Sequence, residues 1–318
     1  MIKKLKVIRA EGLYPHRNQA IERYLLETCQ KGEMILFLWA NDKTVFIGKN
    51  QNIYTECRLS ELLKDGGFPA RRFTGGGAVY HDKGNLNFTF IAMREDYDIP
   101  NQFSIMMGAM RALGFNAELS GRNDVLIDGK KFSGNAFYKS EGACLHHGTV
   151  LISSNYEAIA KYLNVSRVKL NAKGVKSVVS RVGNLCEYRA DIHADMVADA
   201  LVQSLKNRYP EAELVRITES DLPEQKIAEL KAHFADEDYL RGDDVKYDVA
   251  FEYRYDWGVA DIRLEFCGNV IEKARIYSDA LDTDAVEEKE KLLTGLDLTK
   301  PIDPRIKDII ETLGAVRQ

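Results

Sequence analysis

The residues best suited to chemistry lie in one short segment, RRFTGGGAVYHD, over residues 71–82. Three consecutive glycines allow positive φ angles, and the successive N–H groups of such a backbone can surround an anion. Arg71 and Arg72 stand just before this segment's glycines, and a guanidinium group binds phosphate through two parallel hydrogen bonds. Thr74 adds a hydroxyl group. A glycine cluster can also be a plain turn, but the flanking arginines favour an anion-binding loop.

The spacing within this loop excludes two common phosphate-binding signatures. A Walker loop requires Gly-Lys-Ser/Thr after its second glycine, whereas Gly77 is followed by Ala78 and Val79. A dinucleotide-binding fingerprint requires a third glycine at the position of Tyr80. The loop is therefore predicted to be neither a standard NTPase element nor an NAD-binding element.

A second group of chemical residues lies in GRNDVLIDGKKFSGNAFY, over residues 121–138. Asp128 and Gly129 separate two β-like runs and predict a hairpin turn. Lys131 precedes a stretch of small residues, so on a strand facing a cleft its ammonium group could bind a phosphate and a developing carbonyl charge. An ordinary solvated lysine is the alternative. Asp124 is a candidate Mg²⁺ ligand, because Mg²⁺ binds one or two carboxylates together with substrate phosphates, but an Asx turn or a cap explains it equally well.

A third motif, HHGTVLI over residues 146–152, has the alternation of a strand. Adjacent histidines on a strand point to opposite faces, so at most one of them faces any given cleft. No cysteine lies at a matching spacing, and polar lining or a structural hydrogen bond is therefore favoured over a zinc site. Cys144 precedes this motif and is interpreted as a core thiol rather than a nucleophile.

Composition limits the possible partners and compartments. The 318 residues include 44 Lys and Arg against 48 Asp and Glu, so the net charge of −4 gives no support to nucleic-acid or membrane-surface binding. No segment approaches the ~18 consecutive apolar residues of a transmembrane helix, and the start, MIKKLKVIRAEG, is not expected to be a signal peptide. The 5 cysteines are widely spaced and lack a CxxC motif, which favours a reducing cytoplasm.

Hydrophobic periodicity predicts the elements that position these motifs. Helices are predicted over 16–30, 59–66, 101–113 and 191–208, and strands over 7–12, 33–41, 44–52, 85–93 and 146–154. The strands at 33–41 and 44–52 are expected to be adjacent and buried. This mixed order favours an α+β fold with a largely antiparallel sheet over a doubly wound α/β fold.

The pattern restarts near residue 248, which predicts a domain boundary. Residues 1–242 are assigned to a large catalytic domain, 243–247 to a linker, and 248–318 to a small C-terminal domain. The small domain begins with an alternating stretch typical of a hairpin or a three-stranded meander, and helical segments follow it.

Taken together, four segments resemble the lipoate-protein ligases in order and spacing. They are RRFTGGGAVYHDKGNLNFTF, GRNDVLIDGKKFSGNAFY, HHGTVLI and LNAKGVKSVVSRVGNL, the last over residues 170–185. Residues 257–281 are similar to that family's small accessory domain. The resemblance implies a large α+β domain related to biotin-protein ligases and class II aminoacyl-tRNA synthetases, followed by a small α+β domain.

The resemblance also implies a reaction in two steps. Lipoate attacks the α-phosphate of ATP, giving lipoyl-AMP and pyrophosphate, and Mg²⁺ is expected as the metal ion. The ε-amine of a lysine on an acceptor domain then attacks the mixed anhydride and AMP leaves. The expected acceptors are lipoyl domains of 2-oxoacid dehydrogenases or a glycine-cleavage H protein.

Residue roles follow from the matching motif positions. The resemblance implies ATP or adenylate binding by Arg72, Thr74, Gly75, Gly76, Gly77, Ala78, Val79, Tyr80 and Lys131. It implies lipoate binding by Val79, Lys131, His147 and Gly148, with Lys131 as the catalytic lysine. His81, Asn123 and Lys173 occupy further motif positions, and Asp124 is the candidate for Mg²⁺. Two departures are Phe73-Thr74, where many members have Arg-Ser, and Tyr138, where some relatives carry arginine.

Two other functions compete with this assignment. An ATP-independent lipoyl or octanoyl transferase on the same fold would use a cysteine upstream of the motif lysine, and residues 121–129 contain none. A non-catalytic binding protein is the weaker alternative, since Arg72, the three glycines and Lys131 are all present. The preferred acyl chain, the acceptor and the oligomeric state stay open.

Overall fold

The fold is built around a large twisted sheet. The computed structural model describes residues 1–121, 123–164, 182–242 and 247–316. In chain order the strands are β1 (Lys4–Arg9), β2 (Glu33–Trp39), β3 (Thr44–Ile47), β4 (Phe68–Arg71), β5 (Val79–His81), β6 (Asn85–Met93), β7 (Ala117–Ser120), β8 (Asp124–Ile127), β9 (Lys130–Tyr138), β10 (Ala143–Leu151), β11 (Glu213–Ile217), β12 (Val249–Tyr255), β13 (Gly258–Cys267) and β14 (Val270–Ser278).

Helices cover both faces of this sheet. They are α1 (Pro15–Thr28), α2 (Ile53–Glu56), α3 (Leu59–Lys64), α4 (Ile99–Ala112), α5 (Tyr156–Tyr162), α6 (Ala194–Arg208), α7 (Glu224–Phe234), α8 (Glu237–Arg241), α9 (Thr283–Leu293) and α10 (Lys307–Val316). The four helices predicted from periodicity are present with their ends within three residues of the expected positions.

The large sheet has eight strands in the order β11-β1-β2-β6-β10-β9-β8-β7. Strand β1 pairs in parallel with β11 and β2, whereas the pairs from β2 through β6, β10, β9 and β8 to β7 are antiparallel. The predicted α+β class with a mixed, largely antiparallel sheet is therefore confirmed.

Both faces of the central strands are buried. On β2, Met34, Leu36 and Leu38 pack into the core under α4 and α6, while Ile35, Phe37 and Trp39 pack into the core under α1 and α7. This alternation is the period of two that a strand requires. The face under α1 is the one that also carries the candidate site.

One predicted pairing is wrong. The runs at 33–41 and 44–52 were expected to form adjacent strands, but β3 ends at Ile47 and lies in a separate three-stranded sheet of order β4-β3-β5. Both edges of β2 are already occupied by β1 and β6. Lys43 adopts a φ of 42°, and the turn there directs the chain away from β2 and into the second sheet.

The small domain is a meander, β12-β13-β14, packed against α9 and α10. The end of β14 contacts the large domain, where the Ser278 N–H donates to the Asn50 carbonyl at 2.7 Å, and so does α9, where Glu287 pairs with Lys49 at 2.5 Å. Of the linker predicted over 243–247, residues 243–246 lie outside the described part of the chain.

Candidate active site

A cavity opens between the large sheet, helix α1 and the glycine loop of residues 74–78. Its empty volume is about 700 Å³, including the part that is open to solvent. Two rows of cross-strand neighbours on β2, β6 and β10 underlie it. One row joins Trp39, Asn87 and Thr149, and the other contains Thr89 and His147.

Most of the residues singled out from the sequence line this cavity. They are Arg72, Gly76, Gly77, Ala78, Val79, His81, Asn123, Lys131, His147 and Gly148. The fold thus brings together residues from the glycine loop, the β8–β9 hairpin and the HHG strand, which are up to 76 positions apart, from Arg72 to Gly148.

Four of the expected site residues lie elsewhere, and one is not described. Thr74 is fully buried behind the cavity wall, and Gly75 packs against the small domain. Tyr80 points into a separate core, where its ring centroid is 5.4 Å from that of Tyr162, so its side chain does not reach the cavity. Asp124 stands beside the cavity. Lys173 lies outside the described residues.

Of the two arginines before the glycines, Arg71 does not line the cavity. Arg71 is buried, and its guanidinium donates to the carbonyls of Lys49, Gln51 and Leu240, so it joins the loop after β3 to helix α8 instead of lining the cavity. The expectation for Arg71 is therefore wrong, because its side chain leaves the strand on the face opposite the cavity-lining Arg72.

Arg72 lines the cavity, but its guanidinium N–H groups donate to the glycine loop that follows it. Its Nη2 donates to the carbonyls of Gly75 and Gly77, both at 2.8 Å, and its Nε donates to Thr74 Oγ1 at 3.1 Å. Burial lowers the pKa of Arg72 to about 10. The guanidinium therefore holds the loop in shape, and Gly76 can adopt the φ of 93° that this curled backbone needs.

Lys131 reaches the cavity from a distorted part of its strand. Asp128 and Gly129 both have positive φ angles, as the predicted two-residue hairpin turn requires. The pairing of β8 with β9 shifts register between Val125 and Leu126, so the strand is bulged next to Lys131. A bulge re-aims the neighbouring side chain, and here Lys131 points along the cavity wall.

Lys131 pairs with Asp124 across this hairpin. The Nζ–Oδ1 distance is 2.7 Å, and each side chain is about one-third exposed, at 34% and 32%. A pair this exposed is weak and can exchange partners. The described residues contain no group of three or more His, Cys, Asp or Glu that could hold a metal ion. Asp124 could hold Mg²⁺ together with oxygens from a substrate phosphate.

The two adjacent histidines point to opposite faces, as predicted. His147 faces the cavity, where Nδ1 lies 2.8 Å from Glu22 Oε1 and Nε2 lies 2.9 Å from Thr74 Oγ1. His146 is fully buried on the other face, with Nδ1 3.1 Å from Gln102 and Nε2 2.9 Å from Asn135. Burial lowers the pKa of His146 to about 3, so this ring is neutral.

Glu22 is a residue of the candidate site that the sequence reasoning missed. It lies on α1, is 1% exposed, and accepts from both His147 Nδ1 and Thr89 Oγ1, the latter at 2.7 Å. Trp39 Nε1 in turn donates to Thr89 Oγ1 at 3.0 Å. The available signal was a carboxylate in line with Asn18, Ile21 and Leu25 on the buried face of a helix, since a buried carboxylate requires partners.

Family models match most of the chain. The model of the "Lipoyl protein ligase A/B catalytic domain" matches residues 14–206, and that of the "Bacterial lipoate protein ligase C-terminus" matches residues 244–313. The lipoate-protein ligase A of Psychrobacter cryohalolentis is 36% identical over 291 residues, which cover 89% of this chain and 86% of that protein.

Solved structures of lipoate ligases are also similar to this chain over most of its length. P. falciparum LipL1 in complex with lipoate is 27% identical with a TM-score of 0.81, and 98% of each chain is covered. A bipartite lipoate-protein ligase of Thermoplasma acidophilum, solved in a study with its E2 lipoyl domain, is 30% identical with a TM-score of 0.66, covering 78% of this chain and 100% of that one. A lipoate-protein ligase A bound with ATP is 27% identical with a TM-score of 0.64, covering 76% and 99%.

Proposed function

Because the chain belongs to the lipoate-protein ligase family and is a ligase of that type, as its motifs predicted, we propose that it activates lipoate with ATP and transfers the lipoyl group to protein lysines. The first step forms lipoyl-AMP and releases pyrophosphate. The second forms a lipoyl amide and releases AMP. ATP and lipoate each occur with a structural relative of this chain, which supports both substrates.

The observation that carries this proposal is the position of Lys131. Its ammonium group lines a cavity whose walls also include glycine backbone and the apolar side chains Trp39, Phe46 and Val79. An apolar acyl chain suits the apolar part of these walls, and its carboxylate would then lie beside the ammonium group of Lys131. Positive charge fixed at that point stabilises the oxygens of the α-phosphate and of the acyl carbonyl as the bond between them forms.

In the absence of nucleotide, Asp124 is the ion-pair partner of Lys131. It neutralises Lys131 at 2.7 Å, and a phosphate oxygen arriving at the ammonium would compete with a carboxylate that is partly solvated. Mg²⁺ bound by Asp124 and the phosphates would offset the negative charge of the nucleotide. Lys131 would then be released from Asp124 and be free to hold the reacting oxygens.

The glycine loop supplies backbone rather than side chains to the nucleotide. In this structure the Gly76 N–H donates to the Ala280 carbonyl of the small domain at 3.0 Å. A phosphate that needs this donor would displace the carbonyl. We therefore expect the small domain to change position between the two half-reactions.

The second substrate is proposed to be a lipoyl domain of a 2-oxoacid dehydrogenase or a glycine-cleavage H protein. The archaeal relative that was studied with its E2 lipoyl domain supports the first of these. A reducing cytoplasm is the proposed location, since the 5 cysteines are free thiols. No helix in the described part of the chain is long and apolar enough to cross a membrane.

The ATP-independent transferase is the second candidate, and the cavity argues against it. Such an enzyme would carry its acyl group on a cysteine near the motif lysine. Cys144 is 1% exposed, its thiol donates to the Ser140 carbonyl at 3.6 Å, and no cysteine lines the cavity in the residues that the structure describes.

Lipoate-dependent exchange of pyrophosphate into ATP tests the proposal. We expect exchange with lipoate and none without a carboxylic acid, followed by a lipoyl mass increase on an apo lipoyl domain. Acyl transfer from a loaded carrier without ATP, in the absence of exchange, would establish the transferase instead.

A further inference from the structure

A relay of buried amides fixes the protonation of His81. The Asn18 Nδ2 donates to the carbonyls of Gly12 at 3.2 Å and Ala40 at 2.8 Å, which can only accept, so the orientation of this amide is determined. The same Nδ2 lies 2.9 Å from Asn41 Oδ1, which must therefore be the oxygen. The Asn41 Nδ2 is then the atom 3.2 Å from His81 Nδ1.

The tautomer of His81 follows from this relay. An amide nitrogen can only donate, so Nδ1 accepts and the ring proton is on Nε2. The ring is neutral, because burial first, and then the neighbouring Arg72 and His147, lower the pKa of His81 to about 3. His81 is 97% buried, and Nε2 has no hydrogen-bond partner among the residues that the structure describes.

The ring of His81 belongs to the aromatic part of the cavity wall. The His81 ring centroid is 5.9 Å from that of Trp39 and 5.4 Å from that of Phe46, and all three residues line the cavity. An alkyl chain lying here would leave a buried N–H without an acceptor, which is unfavourable. A ring sulfur can accept a hydrogen bond, although weakly.

We propose that His81 determines acyl specificity by donating its Nε2–H to a sulfur atom of the lipoate ring, and so selects lipoate over the plain eight-carbon chain of octanoate. This rests on the proposed function, which places the carboxylate at Lys131 and the rest of the acyl chain along Trp39 and Phe46. The amide of Asn41 is a positioning group in this scheme, since it holds the ring in the donating tautomer.

Exchange rates with lipoate and with octanoate, measured for the wild type and for His81→Phe, test this assignment. Phenylalanine keeps the ring and removes the donor, so the preference of kcat/KM for lipoate over octanoate should fall about fivefold to tenfold. Asn41→Leu, which leaves the His81 ring in place but frees its tautomer, should lower the same ratio by about twofold to threefold.

His16→Phe is the matched control, because His16 is also a buried histidine of lowered pKa but lies outside the cavity. Its ratio should equal that of the wild type. An unchanged ratio in His81→Phe, or an equal loss of activity with both acids, would overturn the assignment while leaving the ligase function intact. Absence of exchange with either acid in the wild type would instead overturn the proposed function.

Discussion

Two polar clusters flank the same cavity, and they differ in how firmly their partners are held. Lys131 and Asp124 form an isolated, partly exposed pair on a hairpin. Glu22, His147 and Thr74 form a buried chain from α1 through β10 to the glycine loop. The first cluster can exchange a partner for substrate at small cost, whereas the second cannot lose a member without leaving a buried polar group unpaired. We therefore expect the Lys131–Asp124 pair to take part in the reaction. The buried chain is expected to maintain the shape of the acyl pocket.

The largest effect is expected for Lys131→Ala. Adenylate formation should fall by about a thousandfold or more, because the positioned charge at the reacting oxygens is lost. The unfolding midpoint should stay near that of the wild type. Lys130→Ala is the matched control, since Lys130 pairs with Glu187 at 2.8 Å and does not line the cavity. Exchange that survives within a few-fold in Lys131→Ala would contradict the assigned role.

A smaller loss is expected when Lys131 is displaced rather than removed. A Cβ at Gly134 would lie 2.8 Å from both Cε and Nζ of Lys131. The flexible lysine end can move away, so Gly134→Ala should cost little stability but lower the exchange rate by about tenfold to a hundredfold. Gly142→Ala, where the added Cβ meets only ordinary contacts, should leave the rate unchanged. Equal rates for the two variants would show that the position of Lys131 is not critical.

The buried cluster should dominate stability instead. Glu22→Leu leaves His147 Nδ1 and the Thr89 hydroxyl without their acceptor and should lower the free energy of unfolding by about 2–4 kcal/mol. Asp124→Asn should lower it by less than about 1 kcal/mol, because its pair is partly solvated. Urea unfolding of both variants checks the comparison, which fails if Asp124→Asn is the more destabilised.

A pH dependence is expected from the other face of β10. The pKa of His146 falls from 6.5 to about 3 on folding because the ring is buried. Between these values the unfolded chain binds a proton that the folded chain does not, so stability is lost as the pH falls below about 6.5. His146→Gln should reduce this loss by up to about 1.4 kcal/mol per pH unit, measured by urea unfolding at pH 6, 5 and 4. An unchanged slope would mean that His146 does not contribute to this loss.

The sequence predicted the parts of the site that local pattern controls. The turn at Asp128-Gly129 follows from the residues that tolerate positive φ, and the opposite faces of His146 and His147 follow from the period of a strand. The motif spacing predicted the family, and the family models match it.

Other features depended on contacts between distant segments, and there local reasoning failed. Arg71 and Arg72 are adjacent and chemically equal in the sequence, yet Arg71 joins the loop after β3 to helix α8 and Arg72 holds the glycine loop in shape. Strand β3 was expected to pair with β2 but lies in a separate sheet, because β1 and β6 already occupy both edges of β2. Which edges are free is decided by the whole sheet.

By itself, then, the sequence determined the type and spacing of the reactive residues, the alternation of its strands and the family to which the chain belongs. Only the tertiary structure decided that Glu22 joins His147, that Tyr80 turns away from the cavity, and that the proton of His81 is on Nε2. The physical reason is that a hydrogen bond is made between atoms within about 3 Å of each other, and residues far apart in the chain reach that distance only when the core is packed.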